Sequence, residues 1–180
     1  LAEEGWNDVI LIEKGELTSG STWHAAGLCS NFIGNMTVAK IHNYSIRLYD
    51  EILPSQSGNP SVFHKCGSLR VGYSRVEEEW FKHLLSRSKN VPCEFNIISK
   101  DEAKNLHPFM NFENARIIVN TPNDGHVDPS SVVMTMSQIA TSKGAKISRF
   151  NRVKDIKKTQ GGEWEVITEK GSIIAEHVVN

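Results

Sequence analysis

The sequence predicts an α/β protein with a strand-rich α+β cap, on three observations. "NDVILIEK" (residues 7–14) is a short unbroken apolar run with a polar residue at each end, the pattern of a strand buried on both faces of a parallel sheet. "DPSSVVMTMSQIATSKGA" (128–145) carries an apolar stripe at helical spacing, between an acidic N-cap and a stop glycine. Between these segments, "VFHKCGSLRVGYS" (62–74) alternates apolar and polar residues, as a sheet with one wet face does.

The remaining elements follow in order. "LAEEGW" (1–6) reads as the last turn of a helix stopped by Gly5. Residues 37–57 place Val38, Ile41, Ser45, Leu48 and Ile52 on one helical stripe, with Pro54 and Gly58 marking the end. "VFHKCGSLRVGYS" reads as two short strands, with Leu69, Val71 and Tyr73 on one face. "VEEEWFKHLLSRS" (76–88) is an amphipathic helix with Trp80, Phe81, Leu84 and Leu85 inward. "SKDEAKNLHP" (99–108) has Ser99 as N-cap and Glu102 three residues on, a capping box. "ARIIVN" (115–120) is a strand. In the helix opened by Asp128 and Pro129, Val132, Val133, Met136, Ile139 and Ala140 form the stripe, and Gly144 ends it. Four strands close the chain: "AKISRF", "VKDIKK", "EWEVITE" and "SIIAEHVV", the middle two joined by the turn "TQGG".

Three divisions result. Residues 1–58 and 128–180 are expected to form one α/β layer, with residues 9–12 and 173–178 as members of one sheet. Residues 59–127 are expected to form the cap, with residues 69–73 in a different sheet.

Composition limits the function. The net charge is −1 with no basic stripe, which argues against nucleic acid as a partner. The apolar runs are too short to span a bilayer, and no secretory signal opens the sequence. Cys29, Cys66 and Cys93 are odd in number and far apart, so a disulfide framework is not expected. A reducing compartment fits: the cytoplasm, or the mitochondrial matrix in a eukaryote. His64 and Cys66, even with His24 or His42, lack the spacing of a zinc site, so no metal is expected.

The chemistry concentrates near the start. Glu13 closes the first strand, where a nucleotide-binding sheet places a carboxylate on ribose hydroxyls; the alternative is a solvated acid at a strand end. Thr18, Ser19, Ser21 and Thr22 then supply hydroxyls, and Gly20 frees the backbone to bend around phosphates. "GSTWHAAG" (20–27) sets one imidazole, His24, among small residues that let a ligand approach the backbone. A packed loop histidine beside Trp23 is the competing reading.

"ELTSGSTWHAAGL" (16–28) resembles the corresponding stretch of the dimethylglycine and sarcosine dehydrogenase family, flavoproteins of the D-amino-acid-oxidase-like superfamily. The resemblance continues through "KIHNYSIRLYDEI" (40–52), "FHKCGSLRV" (63–71) and "NDGHVDPSSV" (123–132), and "STWHAAG" with "DGHVDP" looks nearer the dimethylglycine branch. It implies a partial FAD-binding Rossmann-like layer with a substrate domain, and His24 joined covalently to the 8α-methyl of FAD. The implied cofactor-binding residues are Glu13, Lys14, Ser21, Thr22, Trp23, His24, Ala26, Gly27 and, through its main chain, Val153. Val153 is equally readable as an ordinary strand residue. Asp128 is read as a structural cap and His126 as a candidate in the turn before it.

The implied activity is oxidation of the N-methyl group of a small N-methylated glycine by hydride transfer to the flavin, with the product hydrolysed or trapped by folate on a C-terminal module. Substrate-contacting catalytic residues are not assigned. No G-x-G-x-x-G turn precedes Glu13, so the 180 residues are expected to be part of a longer flavoenzyme, lacking the first β-α of the dinucleotide fold. Exposed sheet edges would then favour a homo-oligomer. The alternative is a non-catalytic, cofactor-free regulatory or oligomerising relative, against which the retained His24 argues.

Overall fold

The computed structural model describes residues 1–6, 8–87, 90 and 92–180; Asn7 and Ser88, at the ends of two sequence-predicted elements, lie outside the described residues. In chain order the elements are a 3-10 turn (Ala2–Glu4), β1 (Ile10–Ile12), a second 3-10 turn (Thr22–His24), β2 (Leu28–Cys29), α1 (Met36–Arg47), a π turn (Leu48–Ile52) and α2 (Leu53–Ser57). Then follow β3 (Phe63–His64), β4 (Ser68–Gly72), α3 (Arg75–Arg87), β5 (Asn96–Ile97), α4 (Lys100–Leu106), β6 (Ile117–Thr121) and β7 (Gly125–Val127). The chain closes with α5 (Pro129–Ser142), β8 (Lys146–Ser148), β9 (Val153–Lys158), β10 (Trp164–Thr168) and β11 (Gly171–Ala175). Two compact units emerge: unit 1 is Leu1–Ala26 with Pro129–Asn180, and unit 2 is Gly27–Asp128. Residues 27–58 and Asp128, which the sequence reading grouped with the α/β layer, pack in unit 2.

In unit 1, β1 pairs in parallel with β8, with Leu11 opposite Ile147. Helix α5 supplies the crossover that a parallel pair requires, and its stop is built by Gly144 at φ 94° and by the Ala145 N–H donating to Ala140 O. Val132, Thr135 and Ile139 are its buried positions. The threonine was not in the expected stripe, because its position on the helix rather than its polarity decides its burial. Residues 153–175 form a separate antiparallel meander, β9–β10–β11.

The expectation that residues 9–12 and 173–178 share a sheet is therefore wrong. Only Glu169 and Lys170 separate β10 from β11, and so short a link allows only an antiparallel neighbour. The apolar "SII" also misleads on burial, since Ile174 is exposed. The same correction applies to β1. Its run reads as buried on both faces, yet Ile10 and Leu11 are 39% and 49% exposed.

Unit 2 carries two three-stranded sheets, β2–β7–β3 and β4–β6–β5. As expected, β4 lies in a different sheet from β1. The two faces of β4 and β6 build two cores. On one, Ile117 and Val119 pack with Phe32 and with Phe81 and Leu84 of α3. On the other, Ile118 packs with Ala103 of α4, Phe112 and Ala115, flanked by Leu69 and Val71. Trp80, expected inward, is half exposed and meets Phe32 edge-on at 6.1 Å.

The helical stretch before β3 also departs from expectation. Asn35 caps α1 by accepting from the Thr37 and Val38 N–H groups, and the helix runs on through a π turn that admits Pro54 at the start of α2. The buried positions are Ala39, Ile46 and Leu53, seven apart, while Val38 and Ile41 face solvent. Helix α4 has both halves of its capping box: the Glu102 N–H donates to Ser99 Oγ, and Glu102 accepts from the Ser99 N–H.

Candidate functional site

Glu13 stands just past the carboxyl end of β1, the end at which α/β sheets bind ligands. Its N–H donates to Ser148 O at 2.9 Å, extending the parallel pairing by one residue. One carboxylate oxygen, Oε1, accepts from the Gly15 N–H at 2.8 Å. This bond fixes the side chain and leaves the other oxygen without a hydrogen bond among the described residues. Residues 150–151 run alongside: the Phe150 N–H donates to Gly15 O, and the Asn151 N–H to Glu13 O. Asn151 is buried, donates to Ser148 Oγ and accepts from the Lys170 N–H. Val153, two residues on, opens β9 opposite Thr168. Glu13 and Val153 are thus tied into one corner of unit 1.

The chain then bends sharply. Thr18 adopts φ 71°, a left-handed conformation costly for a β-branched residue, and Ser19 donates through both N–H and Oγ to Glu16 O. Arg149 Nη1 donates to Glu16 Oε1 at 2.6 Å, and this bond, with the Leu17 N–H, holds the Glu16 carboxyl below its usual range. A Cβ on Gly20 would meet nothing within 4 Å, so the chain fold itself does not demand glycine there.

The Thr22–His24 turn is held by the His24 N–H donating to Ser21 O and packs against α5. Two of its side chains are open to solvent: Trp23 is 63% exposed and His24 is exposed. The two ring centroids lie 4.0 Å apart, with the planes tilted 35° to each other. Neither imidazole nitrogen of His24 has a hydrogen-bond partner among the described residues, and its ring lies beside that of Trp23. Lys14, Ser21 and Ala26 are exposed and Thr22 is half-buried. Gly27 belongs to unit 2, at φ 74°, with its carbonyl accepting from the Val127 N–H. No hydrogen bond or ring contact among the described residues joins His24 to Glu13 or Val153.

Unit 2 holds a constellation that sequence reading missed. Asp124 is 1% exposed, and its Oδ1 accepts from the backbone and side-chain nitrogens of Asn31. Its Oδ2 accepts from Ser68 Oγ at 2.6 Å and Ser30 Oγ at 3.1 Å, and Ser30 Oγ in turn accepts from Arg70, whose guanidinium lies over the Phe32 ring. Burial and this carboxylate push the Cys29 thiol up, and push Cys93 up to about 12. In sequence, "PNDG" reads only as a turn; that its Asp turns inward depends on hydroxyls 56 and 94 residues away. Among the described residues, no group of His, Cys, Asp and Glu is arranged to hold a metal ion, and no helix is long and apolar enough to cross a membrane.

A half-buried carboxylate at the end of a parallel strand, a bent hydroxyl-bearing run and an exposed histidine suit a dinucleotide with a reactive ring. The model of the "FAD dependent oxidoreductase" family matches residues 1–180. Mouse mitochondrial dimethylglycine dehydrogenase is 37% identical over 180 residues, all of this chain and 21% of that protein. Human mitochondrial sarcosine dehydrogenase is 29% identical over 147 residues, 82% of this chain and 16% of that one. The chain therefore spans about a fifth of the length of these relatives. In structure it matches L-proline dehydrogenase of P. horikoshii with a TM-score of 0.85 at 24% identity, covering 96% of this chain and 45% of that one. The chain belongs to the FAD-dependent oxidoreductase family.

Proposed function

We propose that the protein containing this chain oxidises the N-methyl group of a small N-methylated glycine, dimethylglycine ahead of sarcosine, using FAD tethered to His24. The observation that carries the reading is the exposed His24 imidazole, with both nitrogens unengaged, on a turn of small residues. The greater identity to the dimethylglycine enzyme than to the sarcosine enzyme supports the substrate order.

FAD, when bound, supplies the two-electron acceptor; the chain's residues hold and orient it. Glu13, with one oxygen locked by Gly15, offers the other to a ribose hydroxyl. The bend from Thr18 to Thr22 offers hydroxyls and backbone to the phosphates, and Trp23 braces the His24 ring. Lys14, Ala26 and Gly27 flank the flavin, and the Val153 main chain meets the adenine. A folate-binding module would take up the one-carbon product. The mitochondrial location of the named relatives points to the matrix for a eukaryotic source, with the cytoplasm its bacterial counterpart.

The test uses the full-length protein on a denaturing gel viewed by flavin fluorescence. Wild type should give a fluorescent band that His24→Ala abolishes. A dark band from yellow protein overturns the tether, and colourless protein overturns the cofactor assignment. In steady-state assays kcat/KM should favour dimethylglycine over sarcosine by about tenfold, the discrimination one methyl group supports. A preference for sarcosine would reverse the substrate assignment.

A further inference from the structure

The β3–β7 pairing assembles a cluster outside the proposed cofactor residues. Its antiparallel register sets His64 directly opposite His126, and the two rings stack at 5.0 Å with 22° between their planes. Cys66 lies two residues beyond His64 and brings its Sγ to 3.7 Å from His126 Nδ1. Gly125 permits the close approach: a Cβ there would collide with the His64 carbonyl and come within 2.7 Å of Phe63 Cζ. All three side chains are exposed, and Lys65 stands between two of them in sequence.

We propose that Cys66 is a modification site, activated by His126, that low-molecular-weight disulfides convert to a mixed disulfide. In the step, the Cys66 S–H proton passes to His126 Nδ1 and the sulfur attacks one sulfur of the incoming disulfide. The incoming S–S bond breaks as the Cys66 mixed disulfide forms. The released thiolate takes the proton from the imidazole, which returns to its neutral state. Cys66 is oxidised, half of the small disulfide is reduced, and no other reactant is consumed. The stacked His64 ring holds His126 in place, and Lys65 favours an anionic disulfide.

The other two cysteines set the selectivity. Cys29 and Cys93 are half-buried, and burial together with the Asp124 carboxylate pushes both thiols up, which disfavours the nucleophilic thiolate. Cys66 alone of the three is exposed.

The probe is oxidised glutathione, applied to the purified full-length protein under native conditions and followed by peptide mapping without reduction. The mixed disulfide should form on the Cys66 peptide about tenfold faster than on the Cys29 or Cys93 peptides. His126→Gln, with an unchanged far-ultraviolet dichroism spectrum, should slow Cys66 by a similar factor. Equal rates at the three cysteines, or a folded His126→Gln protein that reacts like wild type, would overturn the proposal. Should that variant not fold, the wild-type rate at Cys66 decides. An activated thiol reacts faster in the folded protein than in urea, and an equal or slower rate in the folded protein overturns the assignment.

Discussion

At Asp124 a carboxylate is held in the interior of unit 2 by neutral donors, with no cation in direct contact among the described residues. Such burial is tolerable only when each lone pair is engaged, and Asn31, Ser30 and Ser68 engage both oxygens. The network fastens the segment after β2 to the start of β4, and Asn43 of α1 joins it through Asn31 Oδ1. Asp124→Ala leaves the two buried Asn31 N–H donors and two half-buried serine hydroxyls without this acceptor, so it should cost about 3 kcal/mol in urea unfolding. Asp124→Asn keeps the shape but removes the charge. If it folds, the Cys29 and Cys93 thiols should titrate lower, with burial still holding them above a free thiol. Gly20 is the opposite case. With open space around it, Gly20→Ala should change stability by less than about 0.5 kcal/mol. If the bend there cradles a phosphate, the same variant should nevertheless weaken FAD binding, measured by flavin retention on dilution. That separation of effects could not arise from a purely structural glycine.

Among the elements, local signals were legible where local chemistry decides the structure. The Ser99–Glu102 capping box, the Gly144 stop and the "TQGG" turn are contained in a few neighbouring residues, and each is present in the fold. The inward face of α1 was not legible, because it depends on what the helix meets. His42 and Asn43 turn toward Ser30 and Asn31, Ile46 is buried, and Val38 and Ile41 are left outside. The capping box also yields a pH prediction. Bonds from the Ser99 N–H and hydroxyl hold the Glu102 carboxyl below its ordinary 4.5. The folded state therefore prefers the charged form, so the stabilisation is full above pH 4.5 and is lost as pH falls through the lowered value. Glu102→Gln should lack that part of the acid dependence: the difference in urea midpoint between wild type and variant should shrink as pH drops below 4.5. A constant difference would reject the role. In β7, Gly125→Ala should cost about 2 kcal/mol or more, since the added methyl collides with backbone that a rotamer change cannot move.

For the molecule as a whole, the α/β class, the separation of β4 from β1 and the return of the chain at Pro129 were readable, because each rests on periodicity or on a helix start. The sheet membership of β11 was not, since an apolar run records neither its neighbour nor how much of it is covered. The distribution of buried side chains carries the last prediction. In unit 1 the buried apolar residues among those described are Val132, Ile139, Ala145 and Val166. Unit 2 sets Phe32, Phe81, Leu84, Ile117 and Val119 on one side of its central sheet, and Phe112, Ala115 and Ile118 on the other. Every residue of β9 is exposed, whereas β6 is buried along nearly its whole length. Opening free energies follow buried apolar contacts, so the two units should not share one protection level. Hydrogen exchange read by mass spectrometry should find β4 and β6 slowest and β9 with β11 fastest, with β1 and β8 between. The ordering follows from β6 being hydrogen-bonded on both edges and covered on both faces, while β1 has one paired edge and exposed side chains. Protection in β1 equal to that in β6 would mean that the Ile10–Leu11 face is covered in solution, and this account of the unit 1 sheet would then be wrong.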